Sequence, residues 1–71
     1  MNPVNPKKLM HSKWTATEPR RREKHFLVTD VLCDEDGTPQ TCVLEAVHSR
    51  REAVIDWREL RDAQRWRIGW Q

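Results

Sequence analysis

Arginine, lysine and tryptophan recur together along this chain, in Lys13-Trp14, Arg20-Arg21-Arg22, Lys24 and the closing Arg65-Trp66-Arg67-Ile68-Gly69-Trp70. Guanidinium and ammonium groups neutralise phosphates, and an indole ring offers a face on which an unpaired base stacks. The combination suits a reader of single-stranded nucleic acid. Lys13, Arg20, Arg21, Arg22, Lys24, Arg65, Trp66, Arg67 and Trp70 are therefore the candidate contacts. They converge, together with Arg50-Arg51, if the termini flank a central hairpin. The plainer reading of any single arginine is a solvated charge. No RNP, KH or zinc-knuckle signature accompanies them.

Other chemistry finds less support. His25, Cys33, Cys42 and His48 share one face of a hairpin if Cys33 faces Cys42, which is expected as packing. His25 and Cys33 are nonetheless about 26 Å apart along an extended strand, and no single zinc ion spans that. Glu45 and His48 have opposite parity and point to different faces. There is no nucleophile elbow, phosphate loop or H-E-x-x-H, and with only Gly37 and Gly69 no glycine-rich cradle. No enzyme, cofactor, metal or small-molecule substrate is expected.

The elements that must position these residues are short. Residues 1–12, with Pro3 and Pro6, read as a flexible N-terminal arm, and residues 13–71 as one small β-rich domain. Lys13-Trp14-Thr15-Ala16 suits an edge strand, broken by Glu18-Pro19, with Arg20 to Lys24 a solvated link. His25 to Cys33 is β-branched and aromatic, and Asp34 to Pro39 is a turn with Gly37 free to take positive φ. Thr41 to His48 returns as a strand, Ser49-Arg50-Arg51 turns again, and Glu52 to Asp56 is a third strand. Alternation puts Leu27, Val31 and Cys33 on one side of the first hairpin strand and Phe26, Val28 and Leu32 on the other. Both faces then need covering, and the four tryptophans outside the hairpin are the candidates. Trp14 and Trp57 are expected as core lids. One of Trp66 and Trp70, among arginines, is expected partly exposed.

Asp56-Trp57-Arg58-Glu59 reads as a capping box for a short helix, Trp57 to Arg65, stopped by Gly69. The expected fold is mainly β: a three- to four-stranded antiparallel meander, curled as a small SH3-like, partly open barrel, with one short C-terminal helix. The alternative is an α+β arrangement, a flat three-stranded sheet with that helix on one face.

Charge is segregated. Residues 1–25 hold seven Lys/Arg against two acids, residues 26–49 five acids and no Lys/Arg, and residues 50–71 six Arg against four acids. This marks either a nucleic-acid-facing surface or a basic arm lying on the acidic hairpin of its own fold. No apolar run approaches the roughly 18 residues of a membrane span, and no apolar segment follows Lys7-Lys8 as in a secretory signal. A cytoplasmic protein is expected.

Asn5-Pro6-Lys7-Lys8-Leu9, Ser12-Lys13-Trp14-Thr15-Ala16, Glu23-Lys24-His25-Phe26 and Leu44-Glu45-Ala46-Val47 form one pattern with Trp57-Arg58-Glu59-Leu60-Arg61-Asp62 and Trp66-Arg67-Ile68-Gly69-Trp70. Over essentially its whole length the chain resembles a family of short bacterial tryptophan-rich proteins of uncharacterised function. The resemblance implies a single cytosolic domain and supplies no activity. Two functional expectations follow from the residues: an RNA-binding or ribosome-associated accessory protein, or a protein-interaction module, such as a homodimer with a Trp-lined interface.

Overall fold

The hairpin expected from the β-branched runs is the centre of a larger sheet. The computed structural model describes all of Met1–Gln71. Its strands are β1 Lys13–Arg20, β2 Glu23–Cys33, β3 Pro39–Ala46, β4 Glu52–Asp56 and β5 Trp66–Ile68, in the spatial order β4-β3-β2-β1-β5. Every neighbouring pair is antiparallel. The first four strands form the expected meander. A fifth strand, not expected, returns to the outer edge of β1, with Trp14 opposite Ile68 and Ala16 opposite Trp66. That leaves β4 and β5 as unpaired edges, so the sheet is not closed, and with five strands it exceeds both the three- to four-stranded meander and the three-stranded α+β alternative.

The C-terminal α-helix is absent. Asp56 and Glu59 do form the capping box, but it opens only a 3-10 turn, Trp57–Arg61. Trp57 and Leu60 are three residues apart, the period at which 3-10 side chains eclipse, and both are buried on one face. Another helical turn would bring Gln64 to that face, with nothing apolar to bury. Asp62 therefore takes an extended backbone, and the chain turns into β5.

β1 also runs further than expected, through Glu18-Pro19 to Arg20, and lies between β2 and β5 instead of at an edge. Proline has no N–H to give the ladder, and the β1–β2 register is interrupted between Thr15 and Arg20. The expected link from Arg20 to Lys24 shrinks to Arg21-Arg22, because Arg20 already pairs with Glu23.

A β-bulge sets which side chains are inside. Val28 pairs with Leu44 and Asp30 with Val43, so Thr29 is an extra residue on β2. The alternation flips there. Phe26, Val28 and Val31 consequently face the core side, with Leu27, Asp30 and Leu32 on the other, which corrects the simple parity. The same bulge sets Val31 opposite Cys42, and a second irregularity sets Cys33 opposite Pro39, so the two cysteines do not face each other. Both are free: Cys42 is buried and Cys33 exposed.

The core is one-sided: Leu9, Trp14, Val28, Cys42, Leu44, Trp57 and Leu60, with Val4, Phe26, Val31, Ile55 and Trp66 packed around them. Residues 1–12, expected as a free arm, are laid across this side. Asn2 Nδ2 donates to the carbonyls of Leu60 at 2.9 Å and Trp66 at 2.8 Å. The His11 N–H donates to Val28 O at 2.8 Å, and Leu9 is 1% exposed. Leu9→Ala should therefore lower unfolding free energy by about 2–5 kcal/mol, whereas Met10→Ala at an exposed neighbour should change it by less than about 0.5 kcal/mol. Urea denaturation of both variants checks this.

Candidate nucleic-acid interface

An antiparallel meander returns alternate turns to the same end of its sheet. The β1–β2 turn, Arg21-Arg22, and the β3–β4 turn, which carries Arg50 and Arg51, therefore share one end. Arg65 joins them, since the Thr17 N–H donates to its carbonyl at 3.0 Å. The acidic β2–β3 turn, Asp34-Glu35-Asp36, lies at the opposite end. No ion pair joins that turn to any basic residue. The expected alternative, a basic arm neutralised by the acidic hairpin, is thus not what the fold builds. The sheet is polarised along its strands.

The backbone at the basic end is strained. Arg21 and Arg22 sit at φ 56° and 62°, and Arg50 at φ 64°. A two-residue hairpin loop of this kind favours Asn-Gly, and a residue with a Cβ costs roughly 1–2 kcal/mol in the left-handed region. Strain of this kind collects where side chains have a task beyond folding.

Between the far end of β1–β2, Arg51 and the segment Gln64–Trp66 lies an open cleft of about 420 Å³, lined by Arg20, Arg51, Arg65, Glu23, Phe26 and Trp66 among others. Phe26 and Trp66 meet edge to face with ring centroids 5.2 Å apart. Three of the four indole N–H groups have acceptors: Trp14 on Ser12 Oγ, Trp57 on the Pro39 carbonyl and Trp70 on the Phe26 carbonyl, each at 2.9 Å. The buried Nε1 of Trp66 has none.

Glu23 anchors the cleft floor, 4% exposed. Arg51 Nε donates to its carboxylate at 3.0 Å, and the Arg51 Nη2 and Ser49 Oγ also donate to it. Hydrogen bonds from Arg51 and then Ser49 hold its carboxyl at about 2, down from 4.5, against the opposing effect of burial. Glu23 also raises the Arg51 pKa in return. Arg51 is thereby fixed by one flank of its guanidinium.

The nine residues singled out by the sequence fall into two groups. Arg20, Arg21, Arg22, Lys24, Arg65 and Trp66 lie at the basic end. Lys13, Arg67 and Trp70 lie on the other face of the sheet, away from the core. There Lys13 Nζ stands 4.7 Å from the centroid of the Trp70 ring. Thr15 Oγ1 donates to the Gly69 carbonyl at 2.6 Å and accepts from the Gln71 N–H at 3.0 Å. Arg51, named in the sequence with Arg50 as converging on the nine but not among them, completes the cleft, because a meander brings its turn back beside Arg21-Arg22. No group of three or more His, Cys, Asp or Glu is placed to hold a metal ion, and no helix is long and apolar enough to cross a membrane.

Residues 12–71 match the model of a family described as Tryptophan-rich protein (DUF2389). The chain belongs to this family. No curated protein and no solved structure matches it. In this DUF2389 member the tryptophans divide by role. Trp14 and Trp57 are core, Trp66 is half-buried in the cleft wall, and Trp70 is 44% exposed.

The Glu23 ion pair has a pH signature. Its carboxyl titrates lower folded than unfolded, so its contribution to stability is complete above about 4.5 and is lost as pH falls through about 2. Thermal melts of Glu23→Gln should show lower stability than wild type at pH 7 and a flatter pH dependence across that interval.

Proposed function

We propose that this chain is a non-enzymatic module that binds single-stranded RNA, a cytoplasmic or ribosome-associated accessory protein whose contact surface is the basic end of the sheet. The observation that carries the reading is the gathering there of Arg20, Arg21, Arg22, Lys24, Arg50, Arg51 and Arg65, of which the first four are paired with no carboxylate. Unpaired cations gathered on one rim supply the counterion-release affinity on which nucleic-acid binding rests.

The cleft favours a single strand over a duplex. A duplex presents its phosphates on a convex cylinder, whereas a concave site of this size admits one splayed chain. Arg20 and Arg65 flank the entrance as phosphate partners. Arg51, held from behind by Glu23, keeps its remaining N–H groups for an acceptor.

Fluorescence anisotropy of a labelled single-stranded RNA oligomer tests this. If about three phosphates are engaged, log K should fall with log salt at a slope of about −2. Replacing Arg20 and Arg65 together by alanine should weaken binding by about tenfold or more. Arg21-Arg22→Asn-Gly should make the protein more stable by about 1–3 kcal/mol, by relieving left-handed strain, and at the same time weaken RNA binding. No anisotropy change at low ionic strength, a salt-independent affinity, or a turn variant that binds like wild type would each sink the reading.

A further inference from the structure

The arginine cleft holds two carboxylates, Glu18 and Glu23. The fold satisfies only one of them. Glu23 is saturated, because Arg51 Nε, Arg51 Nη2 and Ser49 Oγ all donate to it. Glu18 is in no ion pair, although Arg20, Arg51 and Arg65 line the same cleft. It is exposed, and it stands in β1 directly before Pro19. A residue before proline is confined to extended backbone, which keeps Glu18 on the cleft wall.

A groove that served phosphate alone would gain nothing from this carboxylate, since like charges repel. An ionised carboxylate accepts hydrogen bonds and donates none. Its partners on a single strand are therefore the 2′-hydroxyl and the N–H groups of the base edges. The bases present these differently. Adenine and cytosine each set an exocyclic amine beside a ring nitrogen whose lone pair would face the carboxylate. Uracil has one ring N–H between two carbonyls. Guanine alone has two adjacent donors, N1–H and the N2 amine, that meet both oxygens of one carboxylate. Its other edge, O6 and N7, is the acceptor pair that a guanidinium meets with two parallel N–H groups. Glu23 takes one N–H each from Nε and Nη2 of Arg51, and the Nη1 side stays available for such a pair.

We infer that Glu18 makes the cleft selective for guanine, accepting from N1–H and N2–H of an unpaired base while Arg51 serves O6 and N7. The cleft volume of about 420 Å³ falls within the range of about 300–1,000 Å³ of sites that enclose a small ligand, so one splayed base fits. The inference rests on the reading of the cleft as a single-stranded RNA site and names the base it takes. Glu18 is then a specificity residue, and the arginines of the rim supply affinity without regard to sequence.

Fluorescence anisotropy with labelled oligouridylates of about eight nucleotides tests this, each either unbroken or carrying one central guanosine, inosine, adenosine or cytidine. Inosine keeps O6, N7 and N1–H and lacks only the amine. The guanosine oligomer should bind about tenfold tighter than the all-uridine one. Adenosine and cytidine should give no such gain, and inosine should lose most of it. Glu18→Gln, shown to be folded by circular dichroism, sets an amide N–H against guanine's donors and should bind the guanosine oligomer no better than all-uridine. Equal affinity of wild type for the guanosine and all-uridine oligomers overturns the selectivity and leaves RNA binding intact. So does an inosine oligomer as tight as guanosine, or a folded Glu18→Gln that keeps the preference. Failure of every oligomer to bind at low ionic strength overturns both readings.

Discussion

This sheet has apolar side chains enough to bury one of its faces, and the tertiary arrangement follows from that shortage. Trp14, Val28, Cys42 and Leu44 point to the same side, and strand pairing cannot cover them. The cover comes from outside the sheet: Leu9 from the N-terminal segment, and Trp57 and Leu60 from a single 3-10 turn. Each is tied down by polar contacts as well as by burial. Trp57 donates to the Pro39 carbonyl and has the guanidinium carbons of Arg61 and Arg58 at 4.9 and 5.1 Å from its ring. Arginine stems against an indole extend a small core with residues that remain soluble at their tips.

What the sequence revealed was local. The strand runs around Asp34 to Pro39, the capping box at Asp56 and Glu59, and the core roles of Trp14 and Trp57 each depend on residues within a few positions of one another. What it concealed depends on distant partners. Trp66-Arg67-Ile68 is too short to declare itself a strand, and becomes one only because the edge of β1 is free to pair with it. The bulge at Thr29 has no compositional mark, yet it reverses the facing of half of β2. The N-terminal segment looked loose because its prolines and asparagines are turn formers. Asn2 instead spends its amide on carbonyls some 60 residues away in sequence.

The candidate site shows the same division. The residue types were readable, but their grouping was set by topology. A meander collects alternate turns at one end, so the basic β1–β2 and β3–β4 turns meet while the acidic turn is carried off to the other. The segregated blocks of charge along the chain thus become a charge gradient along the sheet. Within β1 and β5 successive side chains point to opposite faces, which is why Lys13 and Arg67 part company from Trp14 and Trp66, their neighbours in sequence.

The pairing of β5 with β1, together with the bonds from Asn2 to the Leu60 and Trp66 carbonyls, ties the two ends of the chain to each other. During translation the β2–β3 hairpin and β4 can zip as they emerge, since their partners are already made. β1 can likewise pair with β2, but the start of the chain around Asn2 and the outer edge of β1 find their partners only when the segment after Trp57 is available. A nascent chain therefore keeps Leu9 and Trp14 without the shelter of Trp57 and Leu60 until the 3-10 turn has been made, and a chain cut between β4 and Leu60 is a sheet lacking that part of its roof.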